Sequence, residues 1–290
     1  MDILREAGDI NFMTHAEFDR LKGLVSGEFG IQIKGDKRLT IHAKLSHRLG
    51  ILGVRSYGDY FDYMASDPTK EEVVHFMSHI TNNETYFMRE ATQLRFFQQE
   101  ALPEIKRLRQ AKGENRVDIF SAGCSSGEEL YTLNILIMES GLFAWGWDVA
   151  LTGLDISRAA LKKARRAVYT QNSFRGLNGD SGGFVKKHFD RESDGYSLKQ
   201  PYKGNVRLRQ GNILDPLCLD GIRDLDAIFC RNILIYMGDD AIRRIAENFH
   251  RSLSDCGYLF LGASESLLGK TDLFVPECRD GVIFYRKSRI

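Results

Sequence analysis

Four short clusters hold most of the side chains in this chain that could do chemistry. The first is Gly123-x-x-x-Gly127, followed at once by the acids Glu128 and Glu129. Glycines at that spacing let backbone approach a ligand closely at the start of a helix. The pattern is not G-x-G-x-x-G and has no Walker lysine, and its two carboxylates would repel a pyrophosphate. Dinucleotides and nucleoside triphosphates are therefore disfavoured, and a ligand carrying an ammonium or a sulfonium suits the cluster better. The second is Asp155, a carboxylate able to accept hydrogen bonds from both hydroxyls of a ribose. The third, Gly211-Asn212-Ile213-Leu214-Asp215, offers a side-chain amide to an adenine edge. Taken singly, Asp155 is more often a helix cap and Gly211-Asn212 more often a turn. Together and in order they describe a site for an adenosine with an amino-acid tail and no phosphate, which is S-adenosylmethionine, with S-adenosylhomocysteine left after methyl donation. The fourth cluster is the run Asp226-Ala227-Ile228-Phe229-Cys230-Arg231-Asn232-Ile233-Leu234-Ile235-Tyr236.

In open α/β sheets, ligands bind beyond the carboxyl ends of the strands, so these clusters require strands that end where they begin. The apolar run 117–120 ends in the glycine turn and passes into a helix over 128–138; 149–154 ends at Asp155 and leads to a helix over 158–168. Further strands are predicted at 206–208, 227–230 and 258–261, with an amphipathic helix over 241–253. Such alternation predicts a parallel, doubly wound, Rossmann-like α/β sheet. Residues 171–204, rich in Gly, Ser, Asn and Asp, break the rhythm and predict an inserted subdomain, with a helix near 184–189 and a hairpin turning at Asp194-Gly195.

Before residue 81 the periodicity is helical throughout. Thr14 is placed to cap a helix with Glu17 three residues on, followed by Phe18, Leu21, Leu24 and Val25. Leu39, Ile41, Leu45, Leu49 and Leu52 mark a helix over 37–52, and Tyr57, Tyr60, Phe61 and Met64 one over 56–64. Asp67-Pro68 opens a fourth that carries Val73, Val74, Phe76, Met77 and Ile80. The expected organisation is an all-α domain over 1–80, a linker and leading helix over 81–115, and the sheet domain over 116–290 with its small antiparallel β-subdomain at about 189–210.

Composition limits the partners. Forty Lys plus Arg against 39 Asp plus Glu leave a net charge of +1 over 290 residues, which argues against a nucleic-acid or membrane polycation. At 43% hydrophobic and 27% charged the chain reads as an ordinary globular protein. Its first residues show no signal-peptide core and no apolar run reaches membrane-spanning length, so a cytoplasmic location without membrane insertion is expected. The five cysteines, Cys124, Cys218, Cys230, Cys256 and Cys278, are widely spaced with no C-x-x-C pair, which suits reduced thiols better than disulfides or a metal site. The near-neutral total hides a local excess, since between residues 34 and 55 six basic residues face a single acid, Asp36. At about 100° per residue, Lys37, Lys44, Arg48 and Arg55 fall close together on a continuous helix. Arg38 adds to the same segment.

The motifs resemble those of the chemotaxis receptor glutamate methyltransferases, the CheR family. The resemblance rests on Thr81-Asn82-Asn83-Glu84-Thr85-Tyr86-Phe87-Met88-Arg89-Glu90, on Ser121-Ala122-Gly123-Cys124-Ser125-Ser126-Gly127-Glu128-Glu129-Leu130-Tyr131, on the run from Phe229 to Tyr236, and on Gly262-Ala263-Ser264-Glu265. They occur in the family's order along nearly the whole chain. The resemblance implies that Asn83, Thr85 and Arg89 line the cofactor and methyl-transfer site. By the same resemblance Glu129 holds the methionine end, Asp155 the ribose and Asn212 with Ile213 the adenine; Asn232 and Ile233 close the pocket, and Tyr236 lies near the transferred methyl.

The implied reaction moves a methyl from sulfonium to the side-chain carboxylate of a receptor glutamate. A glutamate with a reference pKa of about 4.3 is already ionised at neutral pH, so no general base is required. Arg89 and Tyr236 are the candidate catalytic residues, suited to orienting a carboxylate without taking its proton. The resemblance also implies that the basic helix, through Lys37, Arg38, Lys44 and Arg48, docks on acidic methylation helices of receptors. The short hairpin at Asp194-Gly195 suggests independence from a receptor C-terminal tether peptide. Two alternatives are a methyltransferase of the same fold with another protein or small-molecule substrate, and a non-catalytic adaptor that binds the cofactor; the basic stripe and the intact Arg89, Asn232 and Tyr236 argue against them.

Overall fold

A computed structural model describes residues 12–69, 71–80, 84–177 and 181–288. The described residues form two compact units, one built from those before 84 together with 236–241, the other from those of 84–235 and of 242 onward.

The first unit is helical. Helix α1 (His15–Phe29) opens with a capping box: the Thr14 hydroxyl accepts the Glu17 N–H at 3.2 Å, and the Glu17 carboxylate accepts the Thr14 N–H at 2.8 Å. Helix α2 (Arg38–Leu52) stops at Gly53, whose φ of 66° places Arg55 beyond the helix. Ser56 caps α3 (Tyr57–Ser66), and the Asp67 carboxylate accepts the N–H groups of Thr69 and Glu72 at the start of α4 (Glu71–Ile80). The core takes Phe18, Leu21 and Val25 from α1, Ile41, Leu45 and Leu49 from α2, and Tyr60, Phe61 and Met64 from α3. Leu39, counted among the periodic apolar residues, instead stands 73% exposed. It lies at the first turn, away from the i, i+4, i+8 row of Ile41, Leu45 and Leu49 that faces the core. Segment 236–241 joins this unit through a bridge between Ile31 and Met237, the Gln32 N–H donating to the Tyr236 carbonyl at 2.8 Å.

The second unit begins with α5 (Ala91–Phe96), which runs through a π-helical segment, Phe97–Ala101, into α6 (Leu102–Ala111). There follow β1 (Arg116–Ala122), α7 (Glu128–Glu139), β2 (Asp148–Asp155), α8 (Arg158–Arg166), β3 (Val168–Tyr169), α9 (Ser181–His188), β4 (Phe189–Glu192), β5 (Gly195–Leu198), β6 (Val206–Gln210), β7 (Leu225–Cys230), α10 (Asp239–Ser252), β8 (Leu253–Leu261), β9 (Phe274–Arg279) and β10 (Val282–Lys287). The main sheet has the order β6-β2-β1-β7-β8-β10-β9. Its first five strands are parallel, and the central β7 is buried at every position, as expected of a strand covered on both faces.

The sequence rhythm suggested parallel strands only, whereas β9 and β10 pair antiparallel with each other and β10 pairs antiparallel with β8. Their two-residue turn is Asp280-Gly281, both with positive φ. This is a strong hairpin dipeptide that the alternation pattern obscured. The inserted subdomain is a small antiparallel sheet, β3-β5-β4, and its hairpin turns at Ser193-Asp194, one residue before the expected Asp194-Gly195, with Glu192 paired to Gly195. Its third strand was hidden because 158–168 read as one helix, but Ala167 turns left-handed at φ 49° and releases Val168-Tyr169 into the sheet.

Candidate active site

Between β1 and α7 the backbone turns through three left-handed residues, Gly123 (φ 66°), Ser125 (φ 48°) and Gly127 (φ 95°). Glycine is required at two of them for space as well as conformation. A Cβ on Gly123 would overlap the Ile233 side chain, and one on Gly127 would come within 3.0–3.1 Å of Ala164, Tyr131 and Tyr169. The turn is tied to the end of β2, where the Asp155 carboxylate accepts the Ser125 N–H and the Ser157 N–H, each at 2.8 Å. Asp155 is therefore not the cap of α8; that place belongs to Ser157, whose hydroxyl accepts the Ala160 N–H at 3.2 Å. Burial pushes the Asp155 carboxyl above its ordinary range, opposed by these backbone hydrogen bonds.

Glu128 and Glu129 enter the first turn of α7, where a negative charge is favoured by the helix dipole. Glu128 is buried, its oxygens accepting from Ser126 Oγ at 2.7 Å and Ser173 Oγ at 3.0 Å. Glu129 accepts from Ser121 Oγ at 2.7 Å and from Arg231 Nε at 2.7 Å. A carboxylate offers about four acceptor sites, so Glu129 keeps capacity for a further cation.

Arg231 is the residue that sequence reasoning passed over. Only 6% exposed, it also donates to the Arg89 carbonyl at 3.0 Å and to Gln93 Oε1 at 3.2 Å, while Gln93 Nε2 donates to the Leu261 carbonyl at 2.9 Å. One guanidinium thus connects the ends of β1, β7 and β8 with the turn that carries Arg89. Its signal in the sequence is a cation directly after the apolar strand β7. Glu265 is a second such residue: its carboxylate accepts the N–H groups of Asn232 and Gly262, both at 2.7 Å, fixing the loop after β7. Asn232 is held there at φ 63°.

Arg89 sits between two left-handed residues, Met88 (φ 61°) and Glu90 (φ 59°). Phe87 pins this turn, stacking on Phe174 at 5.3 Å and meeting Tyr169 and Phe189 edge-on. The Arg89 guanidinium donates to the Glu84 carbonyl at 2.6 Å and lies 5.6 Å from the Tyr86 ring. Thr85 is half-buried just before this turn. Asn83, with Thr81 and Asn82, lies outside the described residues.

Asn212 follows β6, and its side-chain oxygen accepts the Leu214 N–H at 3.0 Å; the Ile213 carbonyl accepts from Asn248 Nδ2 at 3.1 Å. Gly123, Glu129, Asp155, Asn212, Ile213, Asn232 and Ile233 accordingly all lie at the carboxyl ends of the strands, with Arg89 joined to them through Arg231. Tyr236 follows on from Leu234 in a short 3-10 turn and is grouped with the helical unit. Cys124 and Cys230 are fully enclosed, and burial pushes both thiols well up, which suits packing rather than nucleophilic attack.

Of the docking candidates, Lys37 and Lys44 are exposed. Arg38 grips the Asp36 carboxylate at 2.7 Å, and Arg48 holds the buried Glu72, to which Tyr60 also donates at 2.8 Å. Arg48 is therefore built into the helical unit rather than standing free on its stripe. A separate cleft of about 470 Å³ lies in the β-subdomain, lined by Val185, Lys186, Asp190, Arg191 and Tyr196 among others, and shares no residue with the strand-end cluster. Among the described residues no group of three or more His, Cys, Asp or Glu is arranged for a metal ion, and no helix is long and apolar enough to cross a membrane.

The sequence matches two family models. Residues 83–280 match the one described as "CheR methyltransferase, SAM binding domain", and residues 16–81 the one described as "CheR methyltransferase, all-alpha domain". Among curated proteins, the chain is 31% identical over 279 residues to "Chemotaxis protein methyltransferase 2" of Vibrio cholerae, covering 96% of this chain and 95% of that protein. It is 31% identical over 281 residues to "Chemotaxis protein methyltransferase 1" of Pseudomonas aeruginosa (94% and 98% covered). Against the "Chemotaxis protein methyltransferase" of Borreliella burgdorferi the identity is 28% over 264 residues (90% and 92% covered).

Proposed function

This chain belongs to the CheR family of S-adenosylmethionine-dependent methyltransferases, and on that footing we propose that it esterifies the side-chain carboxylates of specific glutamates on chemotaxis receptors, in the cytoplasm. The strand-end residues suit the cofactor. Glu129 offers a carboxylate to the ammonium of the methionine end, Asp155 one to the ribose, and Asn212 with Ile213 a polar and an apolar contact to the adenine, while the turn at Gly123 leaves room that only glycine gives.

When bound, S-adenosylmethionine supplies an electrophilic methyl on a sulfonium that leaves as a neutral thioether. The substrate carboxylate forms the new C–O bond as the C–S bond breaks, the C–S electron pair stays on sulfur, and no proton is transferred. The protein's task is alignment and exclusion of water, for which good positioning supplies roughly 7 to 11 kcal/mol of barrier reduction. We assign Arg89 to orienting the incoming carboxylate as a multidentate donor. We assign the same task to the Tyr236 hydroxyl, with Tyr236→Phe as its test.

The observation that supports this reading most strongly is the Glu129–Arg231–Arg89 connection, in which one buried cation fixes both the acid assigned to the cofactor and the backbone of the arginine assigned to the substrate. For receptor docking we assign Lys37 and Lys44, which are exposed on the helical unit. The two-residue β4–β5 turn favours a tether-independent enzyme. Binding of an isolated receptor tail peptide at the β-subdomain would overturn that point. The decisive experiment is transfer of labelled methyl to receptor membranes with release of methanol by mild base, as an ester requires. Base-stable label, or none, would overturn the proposal.

A further inference from the structure

Helix α8 reads Arg-Ala-Ala-Leu-Lys-Lys-Ala-Arg-Arg, five cations in nine residues with no acid, and all five are exposed. Its apolar side, Leu161 and Ala164, is buried. At about 100° per residue, Arg158, Lys162, Arg165 and Arg166 share an arc of about 100° whose centre lies about 120° from that of the buried pair. Beside α8 runs β6, the edge strand of the main sheet, which adds the exposed Arg207 and the half-buried Arg209 and likewise carries no acid.

Local structure accounts for part of this charge. Lys163, Arg165 and Arg166 lie in the last turn, where cations complement the helix dipole, and Arg166 pairs with Asp194 at 2.9 Å. Arg158, which has a partner of its own, is the first residue of the helix, where the dipole disfavours a cation. The pairs Arg158/Lys162 and Lys162/Arg166 are like charges four residues apart, each unfavourable by about 0.2–0.5 kcal/mol. Lys162, Lys163 and Arg165 make no ion pair among the described residues.

We propose that the outer face of α8, with β6 beside it, is a seat for an acidic helical segment of the substrate protein. This rests on the carboxyl-methyltransferase reading, because a substrate that presents glutamates is itself a source of such a segment. Cations at residues 158, 162 and 165 or 166 recur once per helical turn, matching carboxylates spaced three or four residues apart on a helix laid alongside. Arg158 follows Asp155 by three residues, so the row begins at the carboxyl end of the sheet, where the candidate active site lies. Nucleic acid is the poorer fit, since the net charge of +1 provides no broad attractive field and the exposed face of α8 has no aromatic side chain on which a base could stack.

The test uses the full-length chain and the double charge reversal Lys162→Glu/Arg165→Glu, neither residue being part of the proposed catalytic or cofactor machinery. With a receptor cytoplasmic fragment as substrate, KM should rise about tenfold, the effect of about 1.4 kcal/mol, with kcat, cofactor affinity and Tm unchanged. In parallel, anisotropy of a labelled alanine-based helix of about 20 residues, with glutamate at every third or fourth position, should report a similar loss of affinity that fades as salt is raised. An unchanged KM and unchanged peptide affinity would overturn the proposal while leaving the methyltransferase reading intact. Tighter binding of duplex DNA than of the peptide, abolished by the same reversal, would also overturn it. If neither wild type nor variant methylates the fragment, the functional reading fails, and the peptide measurement still decides on the seat.

Discussion

At the amino ends of the strands, Arg109 of α6 places its guanidinium against three carboxylates: Asp226 at 2.8 Å, Asp224 at 2.5 Å and Glu114 at 2.5 Å. At the carboxyl ends, the equally buried Arg231 meets Glu129 at 2.7 Å, Glu90 only at 3.7 Å, and otherwise a backbone carbonyl and an amide. The backbone differs as well. Four left-handed residues other than glycine, Met88, Glu90, Ser125 and Asn232, lie at the carboxyl ends of the strands, whereas the left-handed residues beside Arg109 are Gly113 and the exposed Asp224. The amino end is saturated by its own charges. The carboxyl end holds unfavourable backbone and a carboxylate with acceptor capacity to spare, as ligand sites do. One buried arginine closes the fold and the other organises a site.

The sharpest way to break this contrast is to remove each arginine and compare stability with activity. Arg109→Ala strands the buried Asp226 and should cost about 3–5 kcal/mol in urea unfolding, with the surviving folded enzyme turning over normally. Arg231→Gln should cost less, about 1–3 kcal/mol, but lower kcat/KM about 100-fold by letting Glu129 and the Arg89 turn drift. Arg231→Lys should recover part of the stability and little of the rate. If Arg231→Gln lost stability alone, the two ends would be equivalent and the contrast would fail. Gly123→Ala should weaken cofactor binding about tenfold by calorimetry, since its methyl displaces Ile233, and should lower stability by about 1–2 kcal/mol because alanine is strained at this left-handed position.

The smallest effect is a pH dependence at the amino end. Burial pushes the Asp226 carboxyl up to about 6, against the pull of Arg109 and the Asp118 N–H, while Arg109 is held charged by its carboxylates. A carboxyl raised on folding keeps its proton longer in the native state. Its contribution to stability is therefore present in full below its unfolded value of 3.8 and is lost as pH rises through about 6. Comparing urea midpoints of wild type and Asp226→Asn from pH 4 to 7 should show this decline in wild type only; parallel curves would remove Asp226 as its source.

What the sequence revealed of this arrangement was its local part. The glycine turn, the acids after it and Asp155 announce themselves within a few residues, because a turn and a helix start are short-range events. The chain order of strands and helices likewise exposed the Rossmann-like sheet and its insertion. Arg231 and Glu129 are 102 residues apart, and Arg109 and Asp226 are 117 apart, so no spacing rule could join them. Arg48 looked like one cation of a surface stripe because its partner Glu72 arrives on a different helix. The β9–β10 hairpin is a different case: its Asp280-Gly281 signal was local and readable, but the expectation of parallel strands outweighed it.

The π-helical segment at Phe97–Ala101 acquires a meaning from the two arginines. A single helical run from Ala91 to Ala111 carries Gln93, which reaches Arg231 and β8, near its beginning, and Arg109 near its end. A π turn holds one residue more than an α turn, and each residue advances the helix by about 100°. The segment is thus a phase adjuster, like a spacer on a camshaft. Shortening it by one residue would turn Gln93 and Arg109 about 100° out of phase, so that they could no longer both face their partners.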